Sequence, residues 1–131
     1  MSEFNFKSQI CTSREQSERL LALGLKPETA DMYYRFFDEN TYEINTTWET
    51  MWEYSTSYKV TAPAWSLHRL IEIVPSTINK MLWFTITPYT ALYDSFDYIK
   101  YFDSKDNLYD NIIGCIEWLI KEGYFPKEYL V

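Results

Sequence analysis

Three glycines in 131 residues, Gly24, Gly114 and Gly123, cannot build a loop that cradles phosphate. Such loops place several glycines in one turn so that backbone N–H groups converge on the anion. Here the glycines are scattered through helical patterns, which removes nucleotide-dependent chemistry of the usual kinds. There is one histidine, His68, and there are two cysteines, Cys11 and Cys115, far apart and outside any CxxC or Cys–His cluster. A catalytic zinc needs three protein ligands and a structural zinc four, so no metal site and no cofactor is expected. No apolar run approaches the ~20 residues that cross a bilayer. Met1–Lys7 has no basic flank leading into an apolar stretch, so the expected compartment is the cytosol, with both thiols free.

Bases are scarce as well. Twelve Lys and Arg stand against nineteen Asp and Glu, a net charge of −7, and the bases occur singly. Phosphate backbones and anionic membranes repel such a chain, so neither direct nucleic-acid binding nor membrane association is expected. Leu23-Gly24-Leu25 before Pro27-Glu-Thr-Ala-Asp-Met has the outline of a helix-turn-helix. A recognition helix opening on Glu28 and Asp31 would face phosphate with the wrong sign.

What the chain has in quantity is aromatic residues, 12 Tyr, 8 Phe and 5 Trp. From residue 27 to 58 they stand among Glu28, Asp31, Asp38, Glu39, Glu43, Glu49 and Glu53, with Arg35 the sole base, a net −6. Rigid aromatic anchors beside acids suit a protein or a basic ligand. The candidate binding residues are Tyr33, Tyr34, Phe37, Trp48, Trp52, Glu49 and Glu53. A second reading stands beside this one: the same rings fill a core poor in Leu and Val, with Tyr hydroxyls reaching the surface.

The length is that of one domain, 1–131, large enough for a core without disulfides or metal. Residues 1–11 read as a loose arm. Thr12 with Glu15, or Ser13 with Gln16, forms a capping box for a first helix. Glu15 and Arg19 are spaced as an i,i+4 pair, Leu20, Leu21 and Leu23 supply the apolar face, and Gly24 stops it. Residues 32–37 have strand-like aromatics, Asp38-Glu39-Asn40 reads as a turn, and Tyr42 and Ile44 alternate with polar residues. Thr46 with Glu49 permits a helix carrying Trp48, Met51 and Trp52, and extended structure fits there equally. Ser66 caps a second helix with Leu67, Leu70, Ile71 and Val74 in one stripe, ended by Pro75. Met81–Thr87 reads as a strand with Leu82, Phe84 and Ile86 on one face. Tyr89–Tyr93 and Asp97–Phe102 follow as an interrupted strand or two short ones.

The last helix, about 105–122, is capped by Asp103 or Ser104 with Asp106 at its positive end. It buries Leu108, Ile112, Cys115, Ile116, Leu119 and Ile120, and stops at Gly123. Gly114 inside it suggests a close neighbour. The whole is an α+β fold: three main helices on a small antiparallel sheet, the C-terminal helix long and packed on Leu82, Phe84 and Ile86.

Several blocks are distinctive together: Thr12-Ser-Arg-Glu-Gln-Ser-Glu-Arg-Leu-Leu21 with Leu23-Gly24-Leu25, Thr29-Ala-Asp-Met32, Pro63-Ala-Trp-Ser-Leu67, and Asn107-Leu-Tyr-Asp110 with Trp118-Leu119 and Glu122-Gly123-Tyr124. Over most of residues 12–125 they resemble a group of small uncharacterised proteins of gut Bacteroidetes that occur in prophage-like or mobile regions. The resemblance implies a bacterial or phage cytosolic protein and transfers no activity, cofactor or site residue. The Tyr and Phe content around 33–37 exceeds that of the group.

Three functions of different classes follow. The first is a non-enzymatic protein-interaction module using the 27–58 surface. The second is an inhibitor whose carboxylates mimic DNA phosphates. The third is a small enzyme or ligand-binding protein built on His68, the one side chain whose ordinary pKa suits proton transfer near neutrality. His68 and Glu72 are an i,i+4 pair that ordinarily marks a solvated helix face.

Overall fold

The computed structural model describes residues 8–36, 38, 41–46 and 60–131. The chain is α+β, as its patterning predicts. In order come helix α1 (Arg14–Ala22), a 3-10 turn (Pro27–Thr29), strands β1 (Met32–Phe36), β2 (Tyr42–Asn45) and β3 (Val60–Ala64), and helix α2 (Leu67–Ile73). Strands β4 (Thr77–Ile78), β5 (Leu82–Ile86), β6 (Ala91–Asp94) and β7 (Ile99–Phe102) follow, then helix α3 (Leu108–Glu122) and a 3-10 turn (Lys127–Tyr129). The strands form two antiparallel sheets where the patterning suggested one, a first ordered β2-β1-β3 and a second ordered β4-β5-β6-β7. The Trp48–Trp52 stretch, for which helix and extended structure fit equally, lies outside the described residues.

Helix α1 starts at the shifted capping box. The Gln16 N–H donates to Ser13 Oγ at 3.2 Å and the Ser13 N–H to Gln16 Oε1 at 2.9 Å. This frees Thr12 to act as a clip. Its N–H donates to the Trp65 carbonyl at 2.8 Å, its Oγ1 accepts from the Trp65 N–H at 3.0 Å, and the same hydroxyl meets Ser17 Oγ at 2.8 Å. The helix ends in a Schellman motif. Gly24, at φ +102°, donates to the Leu21 carbonyl, and Leu25 to that of Leu20; a left-handed residue there is what lets both orphan carbonyls be satisfied. The Glu15–Arg19 pair gives way to another arrangement. Arg14 pairs with Glu18 at 3.5 Å, and Arg19 reaches across to Asp110 and Glu117 of α3 at 3.9 and 3.7 Å.

Helix α2 is capped by Ser66, whose Oγ accepts from the Arg69 N–H. Its buried residues are Leu70, Ile73 and the following Val74; Leu67 and Ile71 of the expected stripe are only half-buried, and Ile73 takes the inward position instead.

Helix α3 begins three residues later than expected. Asn107 is its cap, accepting from the Asp110 N–H at 3.1 Å, and the buried Asn111 side chain holds residue 105 in a turn through both the N–H and the carbonyl of Lys105. Asp103 and Ser104 therefore stay outside the helix. Gly123, at φ +80°, stops it. Among the described residues, nothing lies within 4 Å of where a Gly114 Cβ would stand, so none of them makes the close approach expected there.

The main core joins α1, α2, α3 and the second sheet. Ile112, Ile113, Cys115, Ile116 and Leu119 of α3 are fully buried with Leu20, Leu25, Trp65, Leu70 and Tyr93, and half-buried Leu82, Phe84 and Ile86 pack on them as expected. Covering each such side chain contributes ~1.5–3 kcal/mol, which is what an otherwise marginal 15-residue helix needs. Tyr93 stands at the centre, its hydroxyl donating to the Pro75 carbonyl at 2.6 Å. A smaller cluster of Cys11, Met32, Tyr34, Phe36 and Ala64 lies under the first sheet. Trp65 is buried too, its indole N–H donating to Thr29 Oγ1 at 2.9 Å.

Candidate functional site

The acidic-aromatic segment divides between core and undescribed chain. Phe37, Trp48, Glu49, Trp52 and Glu53 lie outside the described residues. Tyr33 and Tyr34 sit in the central strand of the first sheet at 3% and 8% exposure, so there the core reading of the aromatics holds. The Tyr34 hydroxyl donates to the Thr12 carbonyl at 2.9 Å and accepts from Cys11 Sγ at 3.6 Å, and its ring stacks on Phe36 and meets Tyr42 edge-on. Arg35 donates to Glu43 Oε1 at 2.7 Å and to the Tyr33 hydroxyl at 3.1 Å. Tyr42 and Asp38 remain at the surface.

His68 stands in solvent, its side chain 84% exposed, with Nε2 3.6 Å from Glu72 Oε1. The neighbouring cavity of about 300 Å³ is lined by Glu28, Thr29, Arg69, Glu72, Ile73 and Tyr129; His68 does not line it. Arg69 closes one wall by donating to the Thr29 carbonyl at 2.9 Å. Cys11 is buried against Tyr34, so it does not meet His68. Burial pushes up both thiols and the hydroxyls of Tyr34, Tyr93 and Tyr109, which keeps them protonated and unreactive at neutral pH. Among the described residues no group of three His, Cys, Asp or Glu is placed to hold a metal. Carboxylates there are interleaved with Arg14, Arg19 and Arg69.

The outer face of the second sheet is different in kind. Period-two alternation sends Leu82, Phe84 and Ile86 inward and Trp83 and Thr85 outward. Pairing then aligns two rows on the outer face: Thr77, Trp83, Asp94 and Ile99 in one, Thr85, Leu92 and Tyr101 in the other. Trp83 and Tyr101 are each 53% exposed, Ile99 nearly as much, and Met81, Phe96 and Tyr98 extend the apolar surface at the sheet's end. Asp94 is the one charge in those two rows. Beside them a shallow groove of about 210 Å³ runs between Met81, Asp97, Tyr98 and Tyr124. Monomeric proteins seldom leave so many large apolar side chains together in water.

No family model, no curated protein and no solved structure matches the chain. The surface must therefore be read from its own chemistry. Sequence reasoning passed over this face because it followed the inward half of each alternation. Trp83 was the available signal, since an indole placed opposite Leu82 and Phe84 on a one-sided sheet has to stand in solvent.

Proposed function

We propose that the protein is a non-enzymatic protein-interaction module, acting in the bacterial cytosol as an accessory or inhibitory factor of a mobile element. The observation that supports it best is the aromatic outer face of the second sheet, centred on Trp83 and Tyr101 and nearly free of charge. Large, rigid, half-exposed rings lose little conformational entropy when covered, which is why they anchor interfaces. The exposed, unwalled position of His68 argues in the same direction, since general acid–base work needs a substrate held within hydrogen-bond reach. No helix among the described residues is long and apolar enough to cross a membrane, in keeping with a partner met in water.

The test is paired affinity capture. Tagged wild type and a Trp83→Ser/Tyr101→Ser variant are exposed to the same bacterial lysate. A protein retained by the wild type and lost by a folded variant supports the reading. Equal retention by both would move the contact elsewhere, with the acidic-aromatic 27–58 segment next in line. A thermal shift with a small metabolite and no retained protein would replace the module with a ligand-binding role.

A further inference from the structure

Among the described residues, strand β7 is an open edge of the second sheet, bonded only to β6. The hairpin bond from the Ser95 N–H to the Tyr98 carbonyl, 2.8 Å, sets the phase of the ladder. Lys100 and Phe102 then exchange bonds with Tyr93 and Ala91, and the N–H and carbonyl groups of Ile99 and Tyr101 point out of the edge. No hydrogen bond among the described residues uses them. Open edges of this kind are templates for another extended chain, and proteins that keep them unpaired blunt them with proline, bulges or charge. Strand β7 has neither proline nor a bulge in its register, and its one charge is Lys100.

We propose that β7 pairs antiparallel with β7 of a second copy of this chain, about a twofold axis through Tyr101, joining the two four-stranded sheets into one. Outward-pointing residues must face outward-pointing residues, which leaves few registers. With the axis at Lys100, two ammonium groups oppose each other and Asp97 faces the partner's Asp103, a repulsive arrangement. With the axis at Ile99 or at Phe102 no opposite charges meet: Asp97 falls opposite Tyr101 or Asn107, and Lys100 opposite Tyr98 or Ser104.

With the axis at Tyr101, Lys100 falls opposite the partner's Phe102, an aromatic face like those its ammonium already approaches within the chain at 5.6 and 5.9 Å. Asp97 falls near the partner's Lys105. Both are exposed, and neither makes an ion pair among the described residues. Charge thus selects one register, and in it the two Tyr101 rings meet on the outer face. The inference stands on the open edge and does not need the protein-binding reading.

The test is sedimentation velocity on the full chain from nanomolar to hundred-micromolar concentration, with a concentration-dependent dimer expected. Tyr101→Pro deletes an outward N–H without touching the β6–β7 ladder; it should be monomeric with an unchanged circular dichroism spectrum. Asp97→Lys or Lys105→Asp alone should weaken association by about tenfold, and the double reversal should restore it. Under oxidation Tyr101→Cys should cross-link as a dimer and Lys100→Cys should not, the native thiols being buried. A wild type that stays monomeric at every concentration overturns the proposal. So does a dimer that survives Tyr101→Pro, preferential cross-linking through position 100, or an edge taken up by a peptide of another protein while this chain remains single.

Discussion

Asp31, just before β1, accepts two hydrogen bonds from Ser66, the cap of α2: one from the backbone N–H at 2.9 Å and one from the hydroxyl. A carboxylate from the first sheet's entry thereby fixes where the second helix begins, and Trp65 beside it is held at 0% exposure. Asp31→Ala strips both acceptors from a partly buried cap, so it should cost ~1–3 kcal/mol. Asp31→Asn keeps a carbonyl acceptor and should cost less. Urea unfolding of the two variants checks this, and equal midpoints for Asp31→Ala and the wild type would show that the junction contributes nothing.

The glycines should separate by backbone conformation. Gly24 and Gly123 hold φ of +102° and +80°, where a Cβ costs roughly 1–2 kcal/mol. Gly114 sits in open space on a regular helix, so Gly114→Ala should gain up to ~1 kcal/mol. Thermal melts of Gly24→Ala, Gly123→Ala and Gly114→Ala should move down, down and up. A fall in Gly114→Ala would mean that an unseen neighbour needs the space.

Much of this fold was legible wherever one face of an element is buried. Alternation placed Leu82, Phe84 and Ile86 correctly, and the 3.6-residue stripe placed Ile112, Ile116 and Leu119. Capping chemistry was legible to within one residue at Ser13 and Ser66. It failed at Asn107, because Asn111, six residues on, holds the Lys105 backbone in a turn and overrides Asp103 and Ser104 as competing caps. The division into two sheets was not legible: β3 turns back to pair with β1, and α2 then separates it from the consecutive hairpins of β4 to β7, so no pairing joins the two groups. Charge was no guide to the rings: Tyr33 and Tyr34 lie amid acids yet fill the core, whereas Trp83 and Tyr101, outside the acidic segment, stand in solvent. Composition reports how many aromatics a chain holds, and only the register reports which way they point.

Alkaline stability should follow the buried thiols and phenols. Cys115 and Tyr93 ordinarily ionise near 9.0 and 10.0, and desolvation raises both in the folded chain. Below those values both states hold their protons and stability is full. As pH rises past them the unfolded chain loses protons that the folded chain keeps, so stability falls, by about 1.4 kcal/mol per pH unit per group. Cys115→Ala should flatten that loss between pH 9 and 11 relative to the wild type, as about one group's worth of slope disappears. An identical slope would place the alkaline sensitivity elsewhere.

The core and the outer face should respond in opposite ways. Ile116 is fully buried among Leu20, Tyr93 and Leu119, so Ile116→Ala should cost ~2–5 kcal/mol. Lys121, exposed on the last turn of α3, should tolerate Ala within ~0.5 kcal/mol. Trp83 is larger than either, and the expected cost of truncating it falls between theirs. Its indole is half in water and its cross-strand neighbours are Thr77 and Asp94, so Trp83→Ser should cost under ~1 kcal/mol. If denaturation midpoints rank Ile116→Ala far below Trp83→Ser, with Lys121→Ala near the wild type, the largest side chain on that face contributes little to folding. A Trp83→Ser variant as unstable as Ile116→Ala would instead make the indole structural, and the outer face would lose its claim as a binding surface.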